Sequence, residues 1–251
     1  MEKRVLGLFA HPDDAELFCG GTLALLRRQG WEIHIATLTP GDCGSATLDR
    51  DGIAKIRRAE AEKSASLLDG TYHCLECDDA FILYDRETLL KCIRLMREVK
   101  PALVFTASPV DYMVDHETTS RAAMTACFVC GMKNIETPGI GICPAVPHLY
   151  YADPMEGKNP FGEPVNASIL VDISAAMDTK VEMLSCHASQ RDWLKAHHGI
   201  DEYIIAMKAF AEARGKDEGV LYAEGFRQHL GHGYPQSNIL KETLEDRVHC
   251  K

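Results

Sequence analysis

The sequence predicts an α/β fold: a Rossmann-like, doubly wound, mainly parallel sheet with helices on both faces. Two observations carry that prediction. Short apolar runs of strand length alternate with amphipathic stretches of helical period, which is the pattern of βαβ units. Two polar clusters, His11-Pro12-Asp13-Asp14 and the stretch from Asp111 to Glu117, each follow an apolar run directly, where a parallel sheet gathers its ligands. With 251 residues, 46% hydrophobic and 25% charged, the chain can bury a sizeable core, and residues 1–251 read as one domain.

The elements follow in order. Residues 4–10 (RVLGLFA) are a continuous apolar run that breaks at HPDD, as a buried parallel strand ending in a loop does. Leu17, Leu23, Leu25 and Leu26, with Gly30 as a stop, predict a helix. Residues 32–39 (EIHIATLT) read as a second strand, and 40–52 as a loop rich in turn formers. Residues 56–70 form an amphipathic helix closed by Gly70. A short strand is expected near 72–75, a helix over 86–99 and a strand over 102–108. A polar loop and another helix come next. Residues 137–166, rich in Gly and Pro, read as long loops over the sheet edge around a strand at 148–152, a candidate pocket lid or subunit contact. Residues 168–173 (SILVDI) suggest a late strand. Residues 177–194 and 201–215 suggest two helices.

Composition removes several function classes. The net charge is −10 with no basic block, so the electrostatic footprint of a nucleic-acid binder is missing. The apolar run at the N-terminus is too short for a signal peptide. No stretch reaches the roughly 18 apolar residues of a spanning helix. A cytoplasmic protein is expected. Its ten cysteines then read as reduced thiols. Cys127 and Cys130 lie in an apolar helical stretch, so burial fits them better than a structural zinc site; Cys74 and Cys77 also lack a Gly-rich knuckle.

The chemistry concentrates in the two polar clusters. A catalytic zinc takes imidazole and carboxylate ligands and leaves a position for water. His11 and Asp14, three residues apart on a strand-end loop, can reach one ion. Asp13 can then face the open side and take a proton from water. The same residues also read as an Asp-rich turn capping the next helix. His116 offers a third ligand, and Asp115 either orients a ligand or substrate group or caps a helix starting at His116. Gly20-Gly21 lacks the spacing of a dinucleotide fingerprint. His197-His198 and His229/His232 have no carboxylate partner in a recognisable motif and read as surface or loop histidines.

Together these residues resemble a known family. AHPDDAELFCGGTLA resembles the AHPDDxExxxGG signature of the LmbE-like, or PIG-L-like, zinc deacetylases, which act on N-acetylglucosamine-type amino sugars. The similarity runs on through LTPGDCGS, IRRAEAEKSASLL, Asp115-His116, VDISAAMDTKVEMLSCHASQ and YAEGFR. The resemblance implies one zinc ion held by His11, Asp14 and His116, Asp13 as general base, and Asp115 beside them in the catalytic group. It also implies substrate contacts from Arg57, Tyr112 and His187, although Arg57 without the resemblance reads better as a surface ion pair with Glu60. The expected substrate is a small N-acetylated sugar or glycoconjugate, and a homo-oligomer is plausible on the same grounds.

The chain departs from the family at one position. Met113 stands where the motif usually has its first histidine, the group thought to stabilise the oxyanion or protonate the leaving amine. A thioether does neither. Tyr112 and His187 are candidates to take over, or Asp13 shuttles both protons. A different amide substrate and a metal-loaded sugar-binding protein without turnover are the alternative outcomes.

Overall fold

Arg4–Phe9 (β1) is apolar on both faces, and all of it but Arg4 is buried, as a central parallel strand requires. The computed structural model describes residues 2–191, 202–216 and 218–251. β2 (Glu32–Thr37), β3 (Thr71–Cys74), β4 (Leu103–Thr106) and β5 (His148–Ala152) pair with β1 or with one another in parallel. β6 (Ile169–Asp172), β7 (Ala223–Gln228) and β8 (Val248–Cys250) extend the sheet through antiparallel pairings. The order is β3-β2-β1-β4-β5-β7-β6-β8. The chain leaves β1 toward β2 and β3, then returns to set β4 against the other side of β1. The crevice beyond β1 and β4 is therefore the switch point of the sheet.

Helices cover both faces, as the sequence predicts. They are α1 (Asp14–Arg28), α2 (Arg50–Ser66), α3 (Arg86–Val99), α4 (Val114–Val129), α5 (Met177–Ser185), α6 (Glu202–Lys216) and α7 (Ile239–Leu244). Leu23 and Leu26 of α1, Met183 of α5 and Met207 of α6 pack with Phe9, Phe105 and Phe226 on one face. Ile93 and Met96 of α3 and Ala122 and Cys127 of α4 pack with Leu6 and Leu8 on the other. At Gly21 a Cβ would lie 2.8 Å from Ile173, so the glycine pair lets α1 approach the chain ahead of α5.

Several boundaries differ from expectation for local reasons. α2 starts at Arg50 because the Asp49 side chain accepts the Gly52 N–H at 2.9 Å, a standard N-cap. The left-handed residue after α2 is Asp69, with φ 49°. Gly70 serves close approach instead: a Cβ there would meet the Ile33 carbonyl oxygen at 2.9 Å. The helix expected over 177–194 ends at Ser185, and helical backbone resumes at 188–191. His197-His198 lie outside the described residues.

The segment 137–166 does not form one lid. Arg97, buried near the end of α3, donates to Met132 O, Ile135 O and Thr137 Oγ1, each at 2.7 Å. Residues 130–147 run from the end of α4 to the start of β5, at the sheet edge opposite the switch point. Only the part after β5 lies at the carboxyl ends of the parallel strands. Cys127 and Cys130 are buried free thiols, and among the described residues no metal-capable cluster includes Cys74, Cys77, Cys127 or Cys130. Among these residues, too, no helix is long and apolar enough to cross a membrane.

Candidate metal centre and active site

His11 follows β1 directly, and Asp14 opens α1. Asp13 between them sits at φ 106°, ψ −25°, a left-handed conformation that costs a non-glycine residue about 1–3 kcal/mol. Asp14 reaches His11 and His116. Asp13 reaches Arg57 and Tyr203.

His11 Nδ1 is 3.6 Å from Asp14 Oδ2, and His116 Nε2 is 3.4 Å from Asp14 Oδ1. One donor atom from each of the three lies within 4.8 Å of the others, and all three residues are buried. Two imidazoles and one carboxylate at this spacing fit a divalent ion that keeps positions for water or substrate. Each imidazole is also backed on its far side. His11 Nε2 lies 3.1 Å from Asp79 Oδ1 and 3.4 Å from Asp115 Oδ2. His116 Nδ1 lies 3.0 Å from Asp111 Oδ1. Carboxylates in such positions fix tautomer and ring orientation and raise ligand basicity.

The charges agree with this reading. Burial opposes the charged form of His116, but Asp14 and Asp111 outweigh it and lift its pKa to about 10. Burial likewise opposes charge on His11, and Asp115, Asp14 and Asp79 override it. Asp14 is held well below the usual carboxylate range: burial works against it, but His116 and His11 prevail. The crowded carboxylates thus favour positive charge at this point, which a cation can supply.

Asp115 does not cap α4. The N-cap is Met113, in extended conformation and without a side-chain cap bond. Asp115 lies in the first turn and its Oδ2 accepts the Ala80 N–H at 2.9 Å. It ties the loop after β3 to the back of His11. Met113 donates its N–H to Asp111 Oδ1 at 3.2 Å. Tyr112 stands on the rim, 62% exposed, its ring edge-on to His116 at 5.5 Å between centroids.

Arg57 does not pair with Glu60. It is buried, donating from Nη2 to Pro12 O at 2.7 Å and from Nη1 to Gly41 O at 3.2 Å, and its Nη2 is 3.4 Å from Asp13 Oδ2. The glycines of the 38–45 loop make room for it. A Cβ on Gly41, at φ 70°, would fall 2.2 Å from Arg57 Nη1, and one on Gly44 would fall 2.7 Å from it. Glu60 instead accepts the Ser189 N–H at 2.8 Å and its hydroxyl at 2.6 Å. Gln190 donates to Gly44 O at 3.0 Å. His187, fully buried, has Nε2 at 3.1 Å from Glu16 Oε1, and Glu16 also accepts from Ser64. The sequence motifs therefore interlock around Asp13.

Three contributors were not expected. Asp79 and Asp111 back the histidines; Asp111 stood in a quoted cluster, whereas Asp79 carried no signal. Tyr203, at the start of α6, donates its hydroxyl to Asp13 Oδ2 at 2.5 Å. In the sequence it reads as one more apolar-face residue of a helix. Burial is the main cause that raises the pKa of Asp13, helped by Asp14, while Arg57, His187 and Tyr203 act to lower it.

A doubly wound sheet with a His/Asp/His cluster and an adjacent second carboxylate at its switch point defines an α/β enzyme of the metal-dependent amide hydrolase class. The chain belongs to the PIG-L, or LmbE-like, family: residues 6–127 match the family described as PIG-L, GlcNAc-PI de-N-acetylase. It is 32% identical over 133 residues to the uncharacterised deacetylase YaiS of Escherichia coli K12, covering 50% of this chain and 68% of that protein. It is 28% identical over 240 residues to the 4-oxalmesaconate hydratase of Pseudomonas putida, covering 90% and 89% of the two chains. In structure it is similar to the N,N'-diacetylchitobiose deacetylase of Pyrococcus horikoshii, with a TM-score of 0.76 at 25% identity over 94% of this chain and 88% of that one.

Proposed function

We propose that this protein is a zinc-dependent N-deacetylase of amino sugars or their glycoconjugates, with the ion held by His11 Nδ1, Asp14 and His116 Nε2. The observation that carries the reading is the split between two adjacent carboxylates: Asp14 sits among the imidazoles and Asp13 outside them. An ion in this donor set supplies Lewis acidity toward a carbonyl oxygen and acidifies water.

The chain's own groups do the rest. Asp13 is the general base. Both of its described hydrogen bonds, from Tyr203 and Arg57, fall on Oδ2, so Oδ1 is the atom left to take the proton of the attacking water. Burial raises its pKa, which suits a group that must accept a proton and then return it to the departing amine. Arg57 and His187 supply positive charge beside it, and Tyr112 lines the rim for the sugar. Asp115, Asp79 and Asp111 orient the ligands. Met113 at the position of the motif histidine has no proton to donate, so in this reading Asp13 carries both proton transfers, steadied by Tyr203.

A second reading is hydration of an unsaturated acid by the same base and ion, favoured by the extent of the match to the hydratase and by Met113. Addition of water needs no protonated amine leaving group. The test is acetate release from a panel of N-acetylated amino sugars by zinc-loaded protein, with Asp13→Asn and His116→Ala controls. Zinc-dependent release that Asp13→Asn abolishes while zinc stays bound supports the deacetylase. No release from any sugar, with stoichiometric zinc, refutes it and leaves hydration to be assayed.

A further inference from the structure

We propose that Cys130 and Cys143 are a peroxide-sensitive pair, two thiols that close to a disulfide and pin the loop before β5 to the end of α4. The proposal is independent of the deacetylase reading.

The sequence offers Cys127 and Cys130 as a CxxC pair, but the fold gives Cys130 a different partner. Cys130 caps the C-terminus of α4, and its carbonyl accepts the Cys143 N–H at 3.2 Å. A Cβ on Gly131 would lie 3.4 Å from Cys143 O, so the two chain segments run side by side. Residues joined by such a backbone bond hold their Cα atoms roughly 5–6 Å apart, inside the span of a disulfide. The two sulfurs are themselves hydrogen-bond partners. Toward Cys127, Cys130 Sγ meets the carbonyl oxygen, at 3.1 Å. Arg97 fixes the arrangement: its Nε donates to Cys130 O at 2.9 Å, and its other nitrogens hold the loop that leads to Cys143.

The two thiols differ in readiness. The hydrogen bond from Cys130, with the charges of Arg97 and Lys100, holds the Cys143 thiol below its usual value although burial opposes it. Cys130 is pushed the other way by the same bond and by burial, and the negative end of α4 adds to that. Cys143 is therefore the attacking sulfur and Cys130 the resolving one. Cys143 is 5% exposed, yet Ile142 and Pro144 on either side of it are exposed. A groove of about 530 Å³ lined by Arg97, Ile140 and Ile142 opens beside them. That access suits a small oxidant, hydrogen peroxide. Gly139 and Gly141 would meet nothing within 4 Å at a Cβ, so the loop can yield the short distance from contact to bond.

The chemistry closes without a further reactant. The Cys143 thiolate attacks one peroxide oxygen; the S–O bond forms, the O–O bond breaks, and the departing hydroxide takes the Cys130 proton to become water. The Cys130 thiolate then attacks the Cys143 sulfur; the S–S bond forms, and the oxygen leaves as hydroxide, which takes up the proton that Cys143 first lost. Two thiols are oxidised, one peroxide is reduced, and two waters result.

The test treats the full chain with hydrogen peroxide at neutral pH, blocks the remaining thiols and maps tryptic peptides. Lys133 separates the two cysteines, so a bond between them joins peptides 122–133 and 134–158, and fragmentation tells Cys130 from Cys127. We expect this joined pair to form at least about tenfold faster than any other disulfide of the chain, and to vanish on reduction. Cys127→Ser should leave it in place. In Cys130→Ser the Cys143 sulfenic acid should persist and be trapped by dimedone. A bond between Cys127 and Cys130, a bond from Cys127 to Cys143, or oxidation confined to the exposed Cys43 and Cys250 overturns the pair. The wild-type map decides the matter alone should a variant fail to fold.

Discussion

Replacing Lys180 by methionine tests how the late motifs of the sequence hold the early one. Lys180 and Glu224 are 2% and 4% exposed. Glu224 accepts the N–H of Gly21 at 2.9 Å, the N–H and hydroxyl of Thr22 at 2.8 and 2.6 Å, and Lys180 Nζ at 2.5 Å. Lys180 also donates to Leu17 O at 2.8 Å. Leu17 C=O and Gly21 N–H are the i and i+4 partners of one helical turn, so the ion pair clasps α1 at the glycines. Methionine keeps the aliphatic length and removes the charge, which leaves a buried carboxylate held by dipoles alone. Breaking a buried pair from one side costs about 3–5 kcal/mol. The three donors that remain put the expectation at the lower end, about 3 kcal/mol. Urea unfolding of wild type, Lys180→Met, Glu224→Gln and the double variant gives the stabilities and the coupling. The double variant should be more stable than the sum of the two single losses by at least about 1 kcal/mol. A loss below about 1 kcal/mol for Lys180→Met, or additive effects, refutes the reasoning. Because α1 begins at Asp14, the same variant should also retain less zinc on dialysis.

Other sites give sharper single readouts. Tyr203→Phe removes a hydrogen bond to a charged base, worth about 1.5–3 kcal/mol; kcat should fall by about ten- to a hundredfold with zinc content unchanged, and an unaltered kcat rules out its positioning of Asp13. Asp111→Asn frees the back of His116 and should weaken zinc binding by about 10–100-fold; chelator competition that gives the wild-type affinity refutes that support. His34 Nδ1 and His73 Nε2 face each other at 3.0 Å across β2 and β3. Burial lowers both pKa values, that of His73 to about 4. The folded chain therefore binds these protons less readily than the unfolded one, so the stability held above pH 6.5 is lost as pH falls toward 4. Partial exposure reduces the size of that loss to about 1 kcal/mol. Urea midpoints at pH 7 and 5 should reveal it, and His73→Gln should flatten the difference; a slope that survives the substitution assigns it to other groups.

The parallel half of the fold was legible because its strands obey one rule. β1, β2, β4 and β5 are buried on both faces and read as apolar runs, and α3 takes the bounds expected of it, 86–99, with the Asp85 side chain accepting the Thr88 N–H at its start. Of the antiparallel half only β6, expected over 168–173, was legible. β7 reads AEGFRQ, with a buried carboxylate, a glycine and an arginine, because Glu224 is committed to α1 and Gly225 to Asp153. Neither residue has a period to reveal it. The cluster of His11, Asp14 and His116 was visible as residue types at two strand ends. Its supporting carboxylates were not, since Asp79 owes its place to the pairing of β3 beside β2. Arg57 was ambiguous for a similar reason: helix spacing offers it Glu60, and only the folded loop shows that Gly41 and Gly44 leave the space it fills.

That space explains how two adjacent aspartates keep separate work. Asp13 and Asp14 still feel one another's charge, but they meet different partners. The left-handed backbone at Asp13 carries strain that must be met by contacts on either side. Asp14 is met by two imidazoles. Asp13 is met by Arg57, by the hydroxyl of Tyr203 and by the field of His187, groups drawn from α2, α6 and the end of α5. In the reading proposed above, the base is therefore defined by surroundings rather than by its own identity. A glutamate at position 13 would keep the carboxyl and lose the geometry: its extra methylene carries the oxygens past Arg57 and Tyr203. Asp13→Glu should accordingly lose most of its activity while binding zinc as the wild type does, and a variant that turned over normally would show that proximity of a carboxylate, and not its anchoring, is what the site requires.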